Sequence, residues 1–166
     1  MKKFFGLLIL LILLIFLPIF KRFTIANGAT GDLVLTGSLK DFQEFNVDFT
    51  HSVNKTPVKE FYKIKGQGFN LYKAEFSSYG AGMSDGADFL QGQIYYGENN
   101  EIYLSLDKDF DIITYYVGTV ADHRLTYKDK TLHLNQLLKA QSPAQLAIKR
   151  LSLYQILKTG LRKTYK

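Results

Sequence analysis

Residues 45–65 read "FNVDFTHSVNKTPVKEFYKIK", two alternating runs joined by a polar corner. In the first run Phe45, Val47 and Phe49 point one way while Asn46, Asp48 and Thr50 point the other, the period of a half-buried strand. The corner carries His51, Ser52 and an Asn54-Lys55 turn before Thr56-Pro57 opens the second run. Proline suits the first residue of a strand, where its missing N–H breaks no ladder bond, and the residue before it prefers extended backbone. The stretch thus predicts strand, turn, strand, with the hydroxyls of Thr50, Ser52 and Thr56 placed to bond the turn's backbone.

The same period continues along the chain. Tyr72, Ala74 and Phe76 alternate with Lys73 and Glu75; Ile102, Leu104 and Leu106 alternate with Tyr103 and Ser105; Leu125 and Tyr127 alternate with Arg124, Thr126 and Lys128. Gly66-Gln67-Gly68, Glu98-Asn99-Asn100 and Asp129-Lys130 separate such runs, and Asn and Gly supply the positive φ of hairpin turns. Eleven Tyr and thirteen Phe add strand preference. About eight strands over residues 32–139 predict an all-β domain, an antiparallel β-sandwich or open barrel. Residues 24–31, "TIANGATG", are small and turn-forming and predict a short tether. The acids Asp107, Asp109 and Asp111 read as a solvated loop.

The C-terminal part breaks this pattern. Ser142-Pro143-Ala144-Gln145 matches a capping box with proline at the first helical position, predicting a basic helix and tail over 142–166, with the helix running to about Lys158 and Gly160 as its stop. Leu146, Leu153, Tyr154, Leu157 and Leu161 share a stripe, interrupted by Arg150. Such a helix either docks on the sheet or lies on a membrane, with Lys149, Arg150, Lys158, Arg162 and Lys163 toward anionic head groups.

The N-terminus reads "MKKFFGLLILLILLIFLPIFKR". Its apolar run Phe4–Phe20 would rise roughly 25 Å as a helix, just short of a bilayer core of ~30 Å. Lys3, Lys21 and Arg22 can snorkel across the difference. Ala26-Asn27-Gly28 offers a passable cleavage site, but Lys21-Arg22-Phe23 follow the run directly, so residues 1–23 predict a retained signal-anchor. The expected topology is single-pass in the cell membrane, N-terminus cytoplasmic and β-domain extracytoplasmic. Charge agrees with a membrane site at both ends. The net charge is +6, yet residues 23–142 hold eleven Lys/Arg against fifteen Asp/Glu, a net of −4. That excludes a basic nucleic-acid-binding core and leaves lipid head groups as partners of the two ends.

Chemistry has few candidates. There is no cysteine, hence no disulfide and no thiolate or zinc–sulfur chemistry. His51-Ser52 and Asp122-His123 are neighbours in sequence, so on strands their side chains diverge and neither pair makes a dyad. His123 and His133 flank the Asp129-Lys130 turn; a two-residue loop puts them on opposite faces and a three-residue loop makes them diagonal neighbours, and their spacing fits no familiar zinc pattern, so no metal and no cofactor is expected. The glycine loop "SSYGAGMSDG", residues 77–86, lacks the Lys-Ser/Thr of a phosphate loop and offers Tyr79 and Met83 as apolar contacts. Catalysis is not expected.

Taken together, "THSVNKTPV" (50–58), "FSSYGAGM" (76–83) and "VGTVADHRLTYKDKTLHL" (117–134) resemble, in this order, a bacterial family catalogued as domain of unknown function number 1850. The resemblance spans roughly Leu33–Leu138 and picks out His51, Ser52, Thr56, Pro57, Gly80, Ala81, Gly82 and His123; Met83 stands where many members carry leucine. Members are small, usually begin with a membrane or export segment, and are often encoded beside TRAP-type (tripartite ATP-independent periplasmic) solute transporters. The resemblance implies a binding module at the membrane surface, its ligand a transporter subunit or a small organic solute. A hydrolase or metal-dependent enzyme using His51 and His123, or a purely structural envelope protein, is the alternative.

Overall fold

The computed structural model describes residue 6 and residues 13–51, 55–76, 93–97, 102–118 and 121–164. Among these, eleven strands form two antiparallel sheets. The smaller has the order β2-β1-β11-β8, built from β1 (Phe20–Asn27), β2 (Leu33–Gly37), β8 (Ile112–Tyr116) and β11 (Pro143–Leu151). The larger has the order β10-β9-β3-β4-β5-β7-β6. Its members are β3 (Glu44–Thr50), β4 (Pro57–Lys65), β5 (Gly68–Phe76), β6 (Gln93–Tyr96), β7 (Ile102–Phe110), β9 (Arg124–Tyr127) and β10 (Lys130–His133). Neither sheet closes on itself, and the two separate sheets contribute to one core, which is the β-sandwich of the two expected architectures. A short helix α1 (Leu134–Leu137) follows β10, and α2 (Leu153–Thr164) ends the described chain.

The alternation read in the sequence is the alternation that packs. Phe45 and Val47 of β3 and Leu125 of β9 are buried, as are Ile102 and Leu104 of β7. From the opposite sheet come Phe23, Ile25, Leu35, Ile113 and Leu146. Phe23 joins the two layers, edge-on to Phe45 (ring centroids 5.5 Å) and Phe69 (5.9 Å) and stacked on Phe42 (4.0 Å). Fully burying side chains of this size contributes about 1.5–3 kcal/mol each, which is what a domain without disulfides has to rely on.

Three expectations are corrected. The first half of the expected tether at 24–31 is strand, residues 24–27 belonging to β1, which pairs along its whole length with β11 and lies between β11 and β2. Thr24 and Ala26 read as turn formers, but they are small because both faces of β1 are covered; the Thr24 hydroxyl donates to the Ala147 carbonyl at 2.9 Å. The helix over 142–158 is instead β11, whose Ala144 and Leu146 enter the core at period two, while the true helix begins at Leu153. Eight rungs with β1 and five with β8 outweigh the local helix-start signal. The capping box that does form is Ser152-Leu153-Tyr154-Gln155: Gln155 N–H donates to Ser152 Oγ at 3.2 Å and Ser152 N–H to Gln155 Oε1 at 2.9 Å. Gly160 does not stop α2, which continues to Thr164. Finally, Asp107 and Asp109 belong to β7 rather than to a loop; Asn70 donates to both, at 2.6 and 2.7 Å, and Lys65 pairs with Asp109 at 2.7 Å.

Two local details differ by one residue. The β9–β10 turn is Lys128-Asp129, with Lys128 at φ +47°, and it sets Arg124 opposite His133. His123 and His133 therefore face opposite ways, as a two-residue loop requires. Tyr72 is the extra residue of a bulge, since Tyr62 pairs with Leu71 and Phe61 with Lys73, so it turns away from the core and toward Phe61. Gly66 and Gln67 make the two-residue turn between β4 and β5, Gly66 at φ +66°.

The apolar run Phe4–Phe20 lies mostly outside the described residues; its end, residues 13–16, is helical and leads through 17–19 into β1 at Phe20. Among the described residues no helix is long and apolar enough to cross a membrane.

Candidate functional site

The larger sheet collects at one end the residues that the sequence singles out. Thr50 pairs with Pro57, Val58 with Phe76, and Phe76 with Ile102, so the 51–56 corner and the segment after Phe76 leave the sheet at the same end. The segment before β9 joins them, because Thr50 N–H donates to the Ala121 carbonyl at 2.9 Å. His51 is half-buried, donates its N–H to Thr56 O at 2.8 Å and accepts from Lys55 N–H at 2.9 Å. Lys55 takes φ +56° to close the corner. Backbone bonds thus hold the turn, and Pro57 opens β4 as its chemistry demands. Ser52 and the loop residues Tyr79, Gly80, Ala81, Gly82 and Met83 lie outside the described residues.

On the outward face beside this corner is an open cavity of about 400 Å³. Asp48, Lys59, Glu75 and Arg124 line it, with Pro57 at its corner side and Thr131 on β10. These charges sit on adjacent strands in register: Asp48 opposite both Arg124 and Lys59, and Lys59 opposite Glu75. Arg124 contacts Asp48 at 2.5 Å, and Glu75 contacts Lys73 at 2.7 Å. Lys59 and Lys73 both lie over the Phe61 ring, at 5.2 and 4.2 Å. The floor is thus a balanced row of charges on a rigid sheet, which suits a polar solute or a polar loop of a partner. The alternation marked Asp48, Glu75 and Arg124 as outward-facing, but nothing local predicted that register would align them.

Behind that floor, inside the sandwich, lies a second polar group. The Tyr115 hydroxyl makes a short bond to Glu60 Oε2, the Tyr62 hydroxyl donates to the same oxygen at 2.9 Å, and the two hydroxyls are 2.9 Å apart. Burial first, and the Glu60 carboxylate second, push both phenols up from their ordinary value, so both stay protonated as donors. His123 is buried beside them, 5.2 Å from the Tyr115 ring and 5.0 Å from Phe49. Burial holds its pKa below the usual 6.5, and its Nδ1 has no hydrogen-bond partner among the described residues. Its neutral imidazole packs as a ring. Sequence reading could not pair Glu60 with Tyr115, which are 55 positions apart.

His133 instead reaches Asp122, Nδ1 to Oδ1 3.2 Å, and Asn135 donates to the same carboxylate oxygen. Among the described residues no group of three His, Cys, Asp or Glu is arranged to hold a metal ion. Of the basic residues expected at a membrane surface, Lys149 and Arg150 lie on β11 and Lys158 on α2, while the side chains at 162 and 163 lie outside the described residues.

No curated protein and no solved structure matches the chain. A family model does, over residues 45–134, a span running from β3 through the cavity-lining strands to the start of α1. The chain belongs to the family described as "Domain of unknown function (DUF1850)".

Proposed function

We propose that the chain is a membrane-anchored, extracytoplasmic binding module, accessory to a TRAP-type solute transporter and without catalysis of its own. The observation that carries the anchored part is the fusion of the apolar run to β1. Cleavage at Ala26-Asn27-Gly28 would cut away the strand that pairs with both β11 and β2, and with it Phe23 and Ile25 of the core. A retained segment is the reading compatible with an intact sandwich. The binding part rests on the outward cavity of about 400 Å³ beside the His51–Pro57 corner, with charged groups fixed by register rather than by loops. A packed, neutral His123 and protonated tyrosines suit scaffolding of that surface better than proton transfer.

Affinity purification of the tagged full chain from detergent-solubilised native membranes tests the proposal. A transporter subunit should co-purify with the native chain and be lost with Arg124→Ala, while expression stays normal. Transport at the native rate in both Arg124→Ala and His51→Ala cells, with no subunit recovered, would leave the envelope-structural alternative. Protease added to intact cells should remove the β-domain; protection until lysis contradicts the orientation.

A further inference from the structure

We propose that α2, residues 13–20 and a cluster of cations on β1 and β11 form one surface that lies in the head-group layer of an anionic bilayer, seating the sandwich flush on the membrane. It rests on the anchored reading above, and adds to it a second, peripheral contact.

The first observation is a helix with two different sides. Toward the sandwich, α2 packs on β2 and buries Thr159. On another side, Leu153, Tyr154, Leu157 and Leu161 fall within about 100° of arc at helical spacing. That stripe is bare: Leu157 is 57% and Leu161 63% exposed. The second observation is continuity. Phe16, 58% exposed, touches Tyr154 with ring centroids 5.3 Å apart, so the stripe adjoins the exposed end of the apolar run. Because β1 begins at Phe20, where that run ends, no linker separates domain and anchor. The part of the sandwich next to Phe20 must then face the bilayer.

The third observation is charge. Lys21 pairs with Arg150 and Arg22 with Lys149, two successive rungs of like charge at the Phe20 end of the β1–β11 ladder, one rung on each face of the sheet. Cations directly opposite each other on a sheet repel, and among the described residues no carboxylate lies within salt-bridge distance of any of the four. Lys158 adds a fifth beside the stripe, its Nζ 5.8 Å from the Tyr154 ring. From Pro143 to the C-terminus there is no Asp or Glu. Cations without a salt-bridge partner at the sheet end that continues into residues 13–20, together with an exposed apolar stripe, match an interface of anionic head groups over acyl chains, which neutralises one and covers the other. A soluble protein partner would need a strongly acidic, apolar-centred surface to do the same.

The chain has no cysteine, so single-site labelling is clean. Leu157→Cys and, on the edge strand β6, Tyr96→Cys are labelled with an environment-sensitive dye on the full-length protein. Each is reconstituted in vesicles of phosphatidylcholine and phosphatidylglycerol in equal parts, or of phosphatidylcholine alone. The expected result is several-fold stronger quenching at position 157 than at 96 by nitroxide on the acyl chains in anionic vesicles. That difference should shrink in neutral vesicles and in the Lys149→Gln/Arg150→Gln variant. Equal access of aqueous iodide to both positions, with the protein still resistant to alkaline carbonate, would overturn the inference and leave the anchor standing. A label at 157 shielded from iodide yet untouched by the nitroxide lipids would overturn it too, because a second copy or another protein would then cover the stripe. Release by carbonate, with position 157 quenched by nitroxide beforehand, would remove the anchor and support the surface.

Discussion

Single residues carry two kinds of work here, packing and the fixing of polar groups. His123 illustrates the first, with a consequence for pH. In the unfolded chain it takes up a proton near 6.5, while in the fold burial between Phe49 and Tyr115 keeps it neutral to lower pH, against the weaker pull of Asp122. The unfolded state therefore binds more protons just below that value, so stability is full above pH 6.5 and falls as pH drops toward the depressed folded pKa. Urea unfolding of the native chain between neutral pH and mild acid should show this decline, and His123→Phe should flatten it; an unchanged slope would mean another group is responsible. Tyr115 illustrates the second. Tyr115→Phe removes a donor from the half-buried Glu60 carboxylate and should cost ~1–3 kcal/mol by the same measurement. Gly68 is a third case: a Cβ there would sit 2.3 Å from the Phe110 carbonyl oxygen, so Gly68→Ala forces β5 and β7 apart and should lower stability by about 1–3 kcal/mol.

Among the elements, β3, β4, β7 and β9 were legible because large apolar residues alternate with polar ones and each strand has one wet face. β1 and β11 were not. Thr24, Ala26, Ala144 and Ala147 are buried in the small sheet, and small residues under double cover look locally like turn or helix formers. What makes them strands is a partner about 120 positions away, which no window of sequence contains. The same motif type, Ser-x-x-Gln, occurs at 142 and at 152, and only the second caps a helix. The corner at 51–57 was readable from Pro57, whereas the charged cavity beside it depends on the register of five strands. Two substitutions separate these accounts. Leu146→Ala, in β11, should cost ~2–5 kcal/mol, as a core position does, rather than the small loss of a surface helix. Ser152→Ala should fray α2 for about 1 kcal/mol, seen as lost helical circular dichroism with the β-signal retained.

At the scale of the whole molecule, the N-terminal segment and the sandwich are one object: the apolar run ends in Phe20, and Phe20 is the first residue of a strand in the middle of the small sheet. On the proposed reading, anchor and fold would share a covalent stem, the cation-rich end of β1 and β11 would meet the membrane, and the cavity on the larger sheet would be left for a partner. The most direct check is the intact mass of the protein extracted from the membranes of cells that make it. The account predicts the uncleaved chain, 19.0 kDa, resistant to alkaline carbonate. A folded, soluble species beginning at Ala29 would contradict it, since the sandwich would then stand without β1.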